Sequence, residues 1–272
     1  MKGILVRLGE WIGALAWALG IRRSVAMDGL RRAFPALSDP ERRRIGRASY
    51  LQLGHSLAEL LLPATETESG MRFEPWELYE TAHAKGRGVV LAVAHFGNFE
   101  LLARAAVRRG MKVSVIVRSL GDAFGRWIIA GRGRSGVQQL AERGSTQSAL
   151  AVLRRGEVLG IIVDQNMRKN RGIFVDFFGE KACTTPAAAV FALRSGATLL
   201  ALFPVRQPDG SHRVNMRGPF TTDLSGHAGV EDLTQQLTRA LEDEVRAHPD
   251  HWFWVHRRWK TRPAAQLSPA GR

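Results

Sequence analysis

Residues 88–107 read GVVLAVAHFGNFELLARAAV. The first seven residues form a short, unbroken apolar run, the pattern of a strand buried on both faces. A helical pattern starts near Asn98 and extends to about residue 109. A strand feeding directly into a helix is the unit from which parallel α/β sheets are wound. His95 falls where the strand ends. Glu100 follows five residues later, about one turn into the helix, and Gly97 permits a tight turn between them.

The same alternation recurs downstream. KVSVIVR (112–118), a helical stretch around 121–132, a short strand near 137–140, a helix over about 145–154 and VLGIIVD (158–164) follow in order. GIFVDFF (172–178) reads as a further strand, then a helix opens within TTPAAAVFALRSG (184–196). Two more strands, ATLLALFPVR (197–206) and HRVNMRGPF (212–220), precede a last helix over about 229–247. The expectation is an α/β fold with a mostly parallel central sheet flanked by helices. In such sheets the chemistry gathers at the carboxyl ends of the strands, where His95, Arg118 and Asp164 all fall.

The N-terminal third is helical in pattern instead. Residues 3–21 are apolar on most sides but carry Arg7 and Glu10, which leaves an uninterrupted apolar stretch only from Trp11 to Ile21. A membrane-crossing helix needs about 20 apolar residues. The segment therefore reads as a helix lying in or dipping into a membrane interface, with Trp11 and Trp17 at headgroup depth and Arg22 and Arg23 on anionic lipid. No small-residue cleavage site follows it, so it is not read as a signal peptide. Ser38-Asp39-Pro40-Glu41 marks the start of a helix over about 39–62. The domain reading is thus 1–23 as a membrane-associating helix and 24–272 as a single α/β domain.

Composition narrows the function classes. Lys plus Arg total 39 against 25 Asp plus Glu, a net charge of +14, carried mostly by arginine. That excess favours an anionic partner: nucleic acid, an anionic membrane surface or a phosphorylated substrate. The single cysteine, Cys183, rules out an intramolecular disulfide and a cysteine-based zinc site. No second histidine lies at metal-ligand spacing from His95, and neither a metal nor a cofactor is implied.

A neutral imidazole accepts a proton at neutral pH. A carboxylate bonded to its other nitrogen fixes the tautomer and stabilises the imidazolium. His95 with Glu100 therefore suits a base that deprotonates a hydroxyl for attack on an acyl group. Taken alone the pair is weak, because a histidine at a strand end is more often a hydrogen-bonded structural residue. A hydrolase would need a nucleophilic serine elbow, G-x-S-x-G, which the sequence lacks. A basic module for membrane or nucleic acid would use HWFWVHRRWK (251–260), whose aromatics alternate with cations, but would leave His95 and Glu100 idle. No nucleic-acid-binding pattern is present, and nucleic acid is not the expected partner.

AHFGNFE has the H-x4-E form of the glycerolipid-type acyltransferases. More specifically, the chain resembles the bacterial lipid A biosynthesis (late, secondary) acyltransferases. The likeness runs in the family's order through LRRAFPALSDPERRRIGRASYLQLG (30–54), HFGNFE (95–100), GRGRS (131–135), VDQN (163–166) with the block 172–210, and HPDHWFWVHRRWKTRP (248–263). The resemblance implies an O-acyltransferase on the cytoplasmic face of a bacterial inner membrane. Its donor would be an acyl thioester of acyl carrier protein or coenzyme A. Its acceptor would be a hydroxyl of an anionic glycolipid, a lipid A precursor or a relative such as a phosphoinositide mannoside. It makes His95 the general base and Glu100 its carboxylate partner, with direct transfer and no acyl-enzyme. It also implies substrate contacts at Arg118, Arg132 and Arg134, with arginine forks suited to phosphate, at Asp164, Gln165 and Asn166, and at Arg257 and Arg258. Asp176 would be a second partner for His95. Thr185-Pro186 reads as a helix cap and Cys183 as a small buried residue. HWFWVHRRWK is expected as a late strand and tail.

Overall fold

The computed structural model describes residues 2–62, 70–117, 123–142 and 144–263. The described residues fall into two compact units. The first is drawn from Met1–Leu61, Val163–Pro186 and Leu224–Arg272, the second from Leu62–Ile162 and Ala187–Asp223.

The second unit holds the sheet. Its strands are β1 (Met71–Glu74), β2 (Val89–Val93), β3 (Val113–Val117), β4 (Gln138–Ala141), β5 (Val158–Ile162), β8 (Thr198–Arg206) and β9 (His212–Phe220), in the order β1-β9-β8-β2-β5-β3-β4. β8, β2, β5, β3 and β4 run parallel; β9 is antiparallel to β8, and β1 is parallel to β9. The helices of this unit are α4 (Glu77–Ala84), α5 (Phe99–Arg108), α6 (Ala123–Arg134), α7 (Thr146–Arg154) and α8 (Ala187–Ser195). β2 sits at the centre because Val89-Val90-Leu91-Ala92 can be buried throughout, which only a strand covered on both faces allows. The fold class expected from sequence is the one observed.

The first unit contains α1 (Lys2–Ala18), α2 (Arg23–Ala33), α3 (Asp39–Glu59), the hairpin β6 (Ile173–Phe177) and β7 (Glu180–Thr184), and α9 (Gly226–Ala247). Ser38 and Glu41 close a full capping box at the start of α3, as the sequence pattern anticipated. α1 lies against α3 at backbone distance. A Cβ on Gly54 would sit 2.0 Å from the Gly9 carbonyl oxygen, and one on Gly13 would sit 2.2 Å from that of Tyr50. The Trp17 ring meets Tyr50 edge-on, and His55 shares a 2.8 Å contact with Glu10. The other face of α1 is open to solvent and apolar apart from Arg7: Ile4, Leu8, Trp11, Ile12 and Leu15 are all exposed, Trp11 by 74%.

Three expectations needed correction. The apolar entry segment is not one helix through residue 21. It ends at Ala18, the chain passes through left-handed backbone at Gly20 (φ 73°) and Arg22 (φ 53°), and α2 leaves at 86°. Among the described residues no single helix is long and apolar enough to cross a membrane; the bent pair Gly3–Ala18 with Arg23–Ala33 meets that test together. GIFVDFF pairs with residues 180–184 rather than joining the main sheet. The turn between them has consecutive positive φ angles at Phe178 (53°) and Gly179 (75°), the backbone that closes a two-residue hairpin. Residues 251–260 form turns rather than a strand, and Trp252, Trp254 and Trp259 are buried among themselves and Phe177.

The glycine contact between α1 and α3 yields a stability test. Gly54→Ala should cost about 1–3 kcal/mol by overpacking, read as a lowered urea midpoint. Gly3→Ala, where nothing lies within 4 Å, should change the stability by only a few tenths of a kcal/mol.

Candidate active site

The centre of the second unit's sheet leads directly to the candidate residues. Beyond β2, Ala94 and Phe96 are fully buried, and Phe96 packs edge-on against Phe203 of β8. His95, between them, is half-buried. The chain then turns at Gly97, whose φ is 52° and whose added Cβ would lie 1.9 Å from the Pro204 carbonyl oxygen. No side chain fits there. The buried Asn98 caps the helix that follows, its Oδ1 accepting the Leu101 amide at 3.3 Å. Phe99 turns its ring edge-on to the His95 imidazole, with centroids 4.7 Å apart. Glu100 stands in the first turn of α5, where the helix dipole favours an anion.

Arg132, from the C-terminal end of α6, grips that carboxylate with two donors. Its Nε donates to Oε2 at 2.9 Å and its Nη2 donates to Oε1. Both side chains are only 14% exposed, so the bidentate pair is largely shielded from water. Glu100 and Arg132 also border an apolar cavity of about 60 Å³. Leu91 and Val93 of β2, Gly160 and Ile162 of β5, Val113 and Val115 of β3, Leu202 of β8, and Phe99, Leu102, Ala103 and Ala106 of α5 line it. A charged pair at the edge of a lipophilic slot can position a polar reacting group while an alkyl chain lies in the slot. Neither Phe99 nor the cavity was foreseen. The cavity arises from strand register, which no local motif records.

The remaining candidates are placed as follows. Arg118 lies outside the described residues. Arg132, expected to meet a phosphate, has turned two of its donors on Glu100. Arg134 is exposed in the last turn of α6, without a side-chain partner among the described residues.

In the first unit Asp164 is 3% exposed and accepts the Trp252 indole N–H at 2.9 Å. Gln165 is exposed. Asn166 fastens the C-terminal segment. Its Nδ2 donates to Thr261 Oγ1 at 3.0 Å, its Oδ1 accepts the Thr261 amide at 2.9 Å, and its own amide donates to His256 Nε2 at 2.9 Å. Asp176 is exposed on the hairpin and pairs with Lys181 at 3.0 Å.

Arg257 is exposed but Arg258 is 1% exposed, contrary to its expected role at the surface. Its guanidinium donates to the Cys183 carbonyl and to Thr184 Oγ1 and lies over the Phe177 ring. Burial pulls it down to about 10, partly countered by the charge of Asp164. It pins β7 to the tail. Cys183 is buried as expected, and burial pushes its thiol up, which disfavours the nucleophilic thiolate.

Whole-chain comparison gives the family of a chain with this sheet and this H-x4-E junction. The chain belongs to the bacterial lipid A biosynthesis acyltransferases, whose family model matches residues 3–261; it is an acyltransferase. It is 28% identical over 273 residues to the lipid A biosynthesis palmitoleoyltransferase of Escherichia coli K12, covering 97% of this chain and 88% of that protein. It is 28% identical to the lauroyltransferase of the same organism, covering 96% and 86% of the two chains. It is 24% identical to the myristoyltransferase, covering 98% and 83%.

Gly97→Ala should destabilise the protein by about 2–5 kcal/mol, combining left-handed strain with overpacking. The fall in thermal midpoint measures it.

Proposed function

We propose that this acyltransferase moves a fatty acyl chain from an acyl thioester to a hydroxyl of a lipid A precursor or a related anionic glycolipid. The observation that carries the reading is the position of Glu100. It sits five residues after His95, anchored by Arg132, at the border of an apolar slot. His95 takes the proton from the acceptor hydroxyl as the oxygen attacks the thioester carbonyl. The tetrahedral intermediate collapses with loss of the thiol, which recovers the proton. Glu100 supports the cationic imidazole that forms in between. The acyl chain lies in the slot, and no protein nucleophile takes part.

The net charge of +14 suits every anionic participant: the acidic carrier protein or coenzyme A of the donor, the glycolipid phosphates and the membrane surface. Arg134 and Arg257, both exposed, are candidates for phosphate contact, as is Arg118. Membrane association falls to the open apolar face of α1. Ile4, Leu8, Trp11 and Leu15 follow helical spacing on the side away from the α3 contact at Gly9 and Gly13. A helix of this kind lies in the interface with its aromatic residue at headgroup depth, here at the cytoplasmic face of the inner membrane.

Purified protein in detergent, given radiolabelled acyl carrier protein thioester and a tetra-acylated lipid A precursor, should transfer the label. His95→Ala and Glu100→Ala should each lose about 10²–10⁴ in kcat while retaining the wild-type fold by circular dichroism. Undiminished transfer by folded His95→Ala would refute the base assignment. Failure with this acceptor but success with other membrane glycolipids would change only the acceptor. Trp11→Glu with Leu15→Glu should weaken sedimentation with anionic vesicles by about tenfold or more, each removing an apolar side chain from the interface.

A further inference from the structure

Gly160 lacks any evident backbone reason to be glycine. It lies inside β5, a central strand paired with β2 on one side and β3 on the other. Glycine weakens a strand interior, and its presence there marks a place where something must approach closely. Its φ does not fall in the left-handed region, so a side chain carries no conformational penalty. A Cβ would meet the Val115 Cγ1 at 3.1 Å and the Ser114 carbonyl oxygen at 3.8 Å. The tighter neighbour is a side-chain methyl, which can give by the few tenths of an ångström required.

Register shows what the missing side chain leaves open. Gly160 is paired with Leu91 on one side and Val115 on the other, and all three line the slot beside Glu100 and Arg132. Two residues nearer the carboxyl edge, the next row of the slot is Leu202, Val93 and Ile162. Two residues deeper on β3 lies Val113, also in the lining. Gly160 is therefore a residue without a side chain in a row of aliphatic ones, partway down the slot, and the Val115 methyl leans toward the place its Cβ would take. Ala103 and Ala106, small residues of α5, contribute to the same lining.

We infer that Gly160 is a specificity-determining residue. The bare backbone at this row lets the distal part of a long acyl chain pass, and a side chain there, pressing Val115 toward the slot, restricts the enzyme to shorter chains. This rests on the reading of the slot as the acyl site. Bulk at a row partway down blocks only what must pass it. It leaves the reacting end at Glu100 untouched, so it selects among chain lengths rather than lowering all rates alike.

The test uses Gly160→Ala and Gly160→Val in the full chain. Both are assayed for transfer from straight-chain acyl thioesters of graded length, and for binding of free fatty acids of the same lengths by displacement of a fluorescent fatty acid. The expected result is a shift of the preferred length toward shorter chains, larger for Val than for Ala. The long-to-short ratio of kcat/KM should fall about tenfold or more, the scale on which a pocket discriminates added methylenes. Transfer of the short chain should fall much less than transfer of the long one, and the thermal midpoint should drop more for Val than for Ala, because the added side chain presses on Val115. A length profile unchanged in both assays, in folded variants, overturns the inference. Length-selective changes in fatty-acid binding without transfer of any acyl group by the wild type would uphold the slot and Gly160's role and refute the transfer reading instead.

Discussion

One ion pair organises the candidate site. Glu100 opens α5 and Arg132 closes α6, and the two meet in a bidentate contact that is largely hidden from water. Either charge left alone in that setting would be costly, because a partly buried ion is compensated only by a partner with good geometry. The carboxylate is thus fixed in place before any substrate arrives. The turn that joins His95 to the helix carrying Glu100 depends on Gly97, the residue that lets the backbone pass against the Pro204 carbonyl. In the proposed reaction, a preset carboxylate would need little reorganisation as charge develops on the His95 imidazole.

The first unit uses burial in a different way. Its C-terminal segment has little regular structure, yet three tryptophans and Arg258 hold it down. A buried guanidinium is tolerated because its donors meet a carbonyl and a hydroxyl, its face meets Phe177, and Asp164 supplies charge. The N-terminal helix, by contrast, is packed on one side and bare on the other. Gly9, Gly13 and Gly54 permit backbone contact with α3, while Trp11 and its neighbours keep their apolar area exposed. An apolar face of that kind suits a membrane interface better than open water.

The sheet strands with continuous apolar runs were legible in the sequence, since burial on both faces demands that pattern. So were the capping box at Ser38 and the His95–Glu100 junction, where strand and helix signals abut. The hairpin β6–β7 was half legible. Its first strand was read, but its turn rests on Phe178 at positive φ, a conformation that phenylalanine rarely adopts and that packing against Phe34 and Arg246 accommodates. The break after Ala18 was half legible too: Gly20 at positive φ is a helix-stop signal, whereas Arg22 is left-handed without one. Within the site the residues were identifiable but their partners were not. A fork that reads as a phosphate contact in GRGRS proves to hold Glu100, and a tail that reads as a basic surface buries Arg258. Long-range pairing decides both, and strand register likewise sets Gly160 in a row of aliphatic side chains.

The central claim is that Glu100 and Arg132 act as one unit in support of His95. A double-mutant cycle on kcat/KM tests it most directly, with Glu100→Gln, Arg132→Gln and the combined variant compared with wild type under one donor and acceptor. Groups that act together lose their effect together. Each single variant should therefore be severely impaired, and the double variant no worse than the worse of the two. Losses that multiply in the double variant, or an Arg132→Gln enzyme with wild-type kcat/KM, would contradict the account.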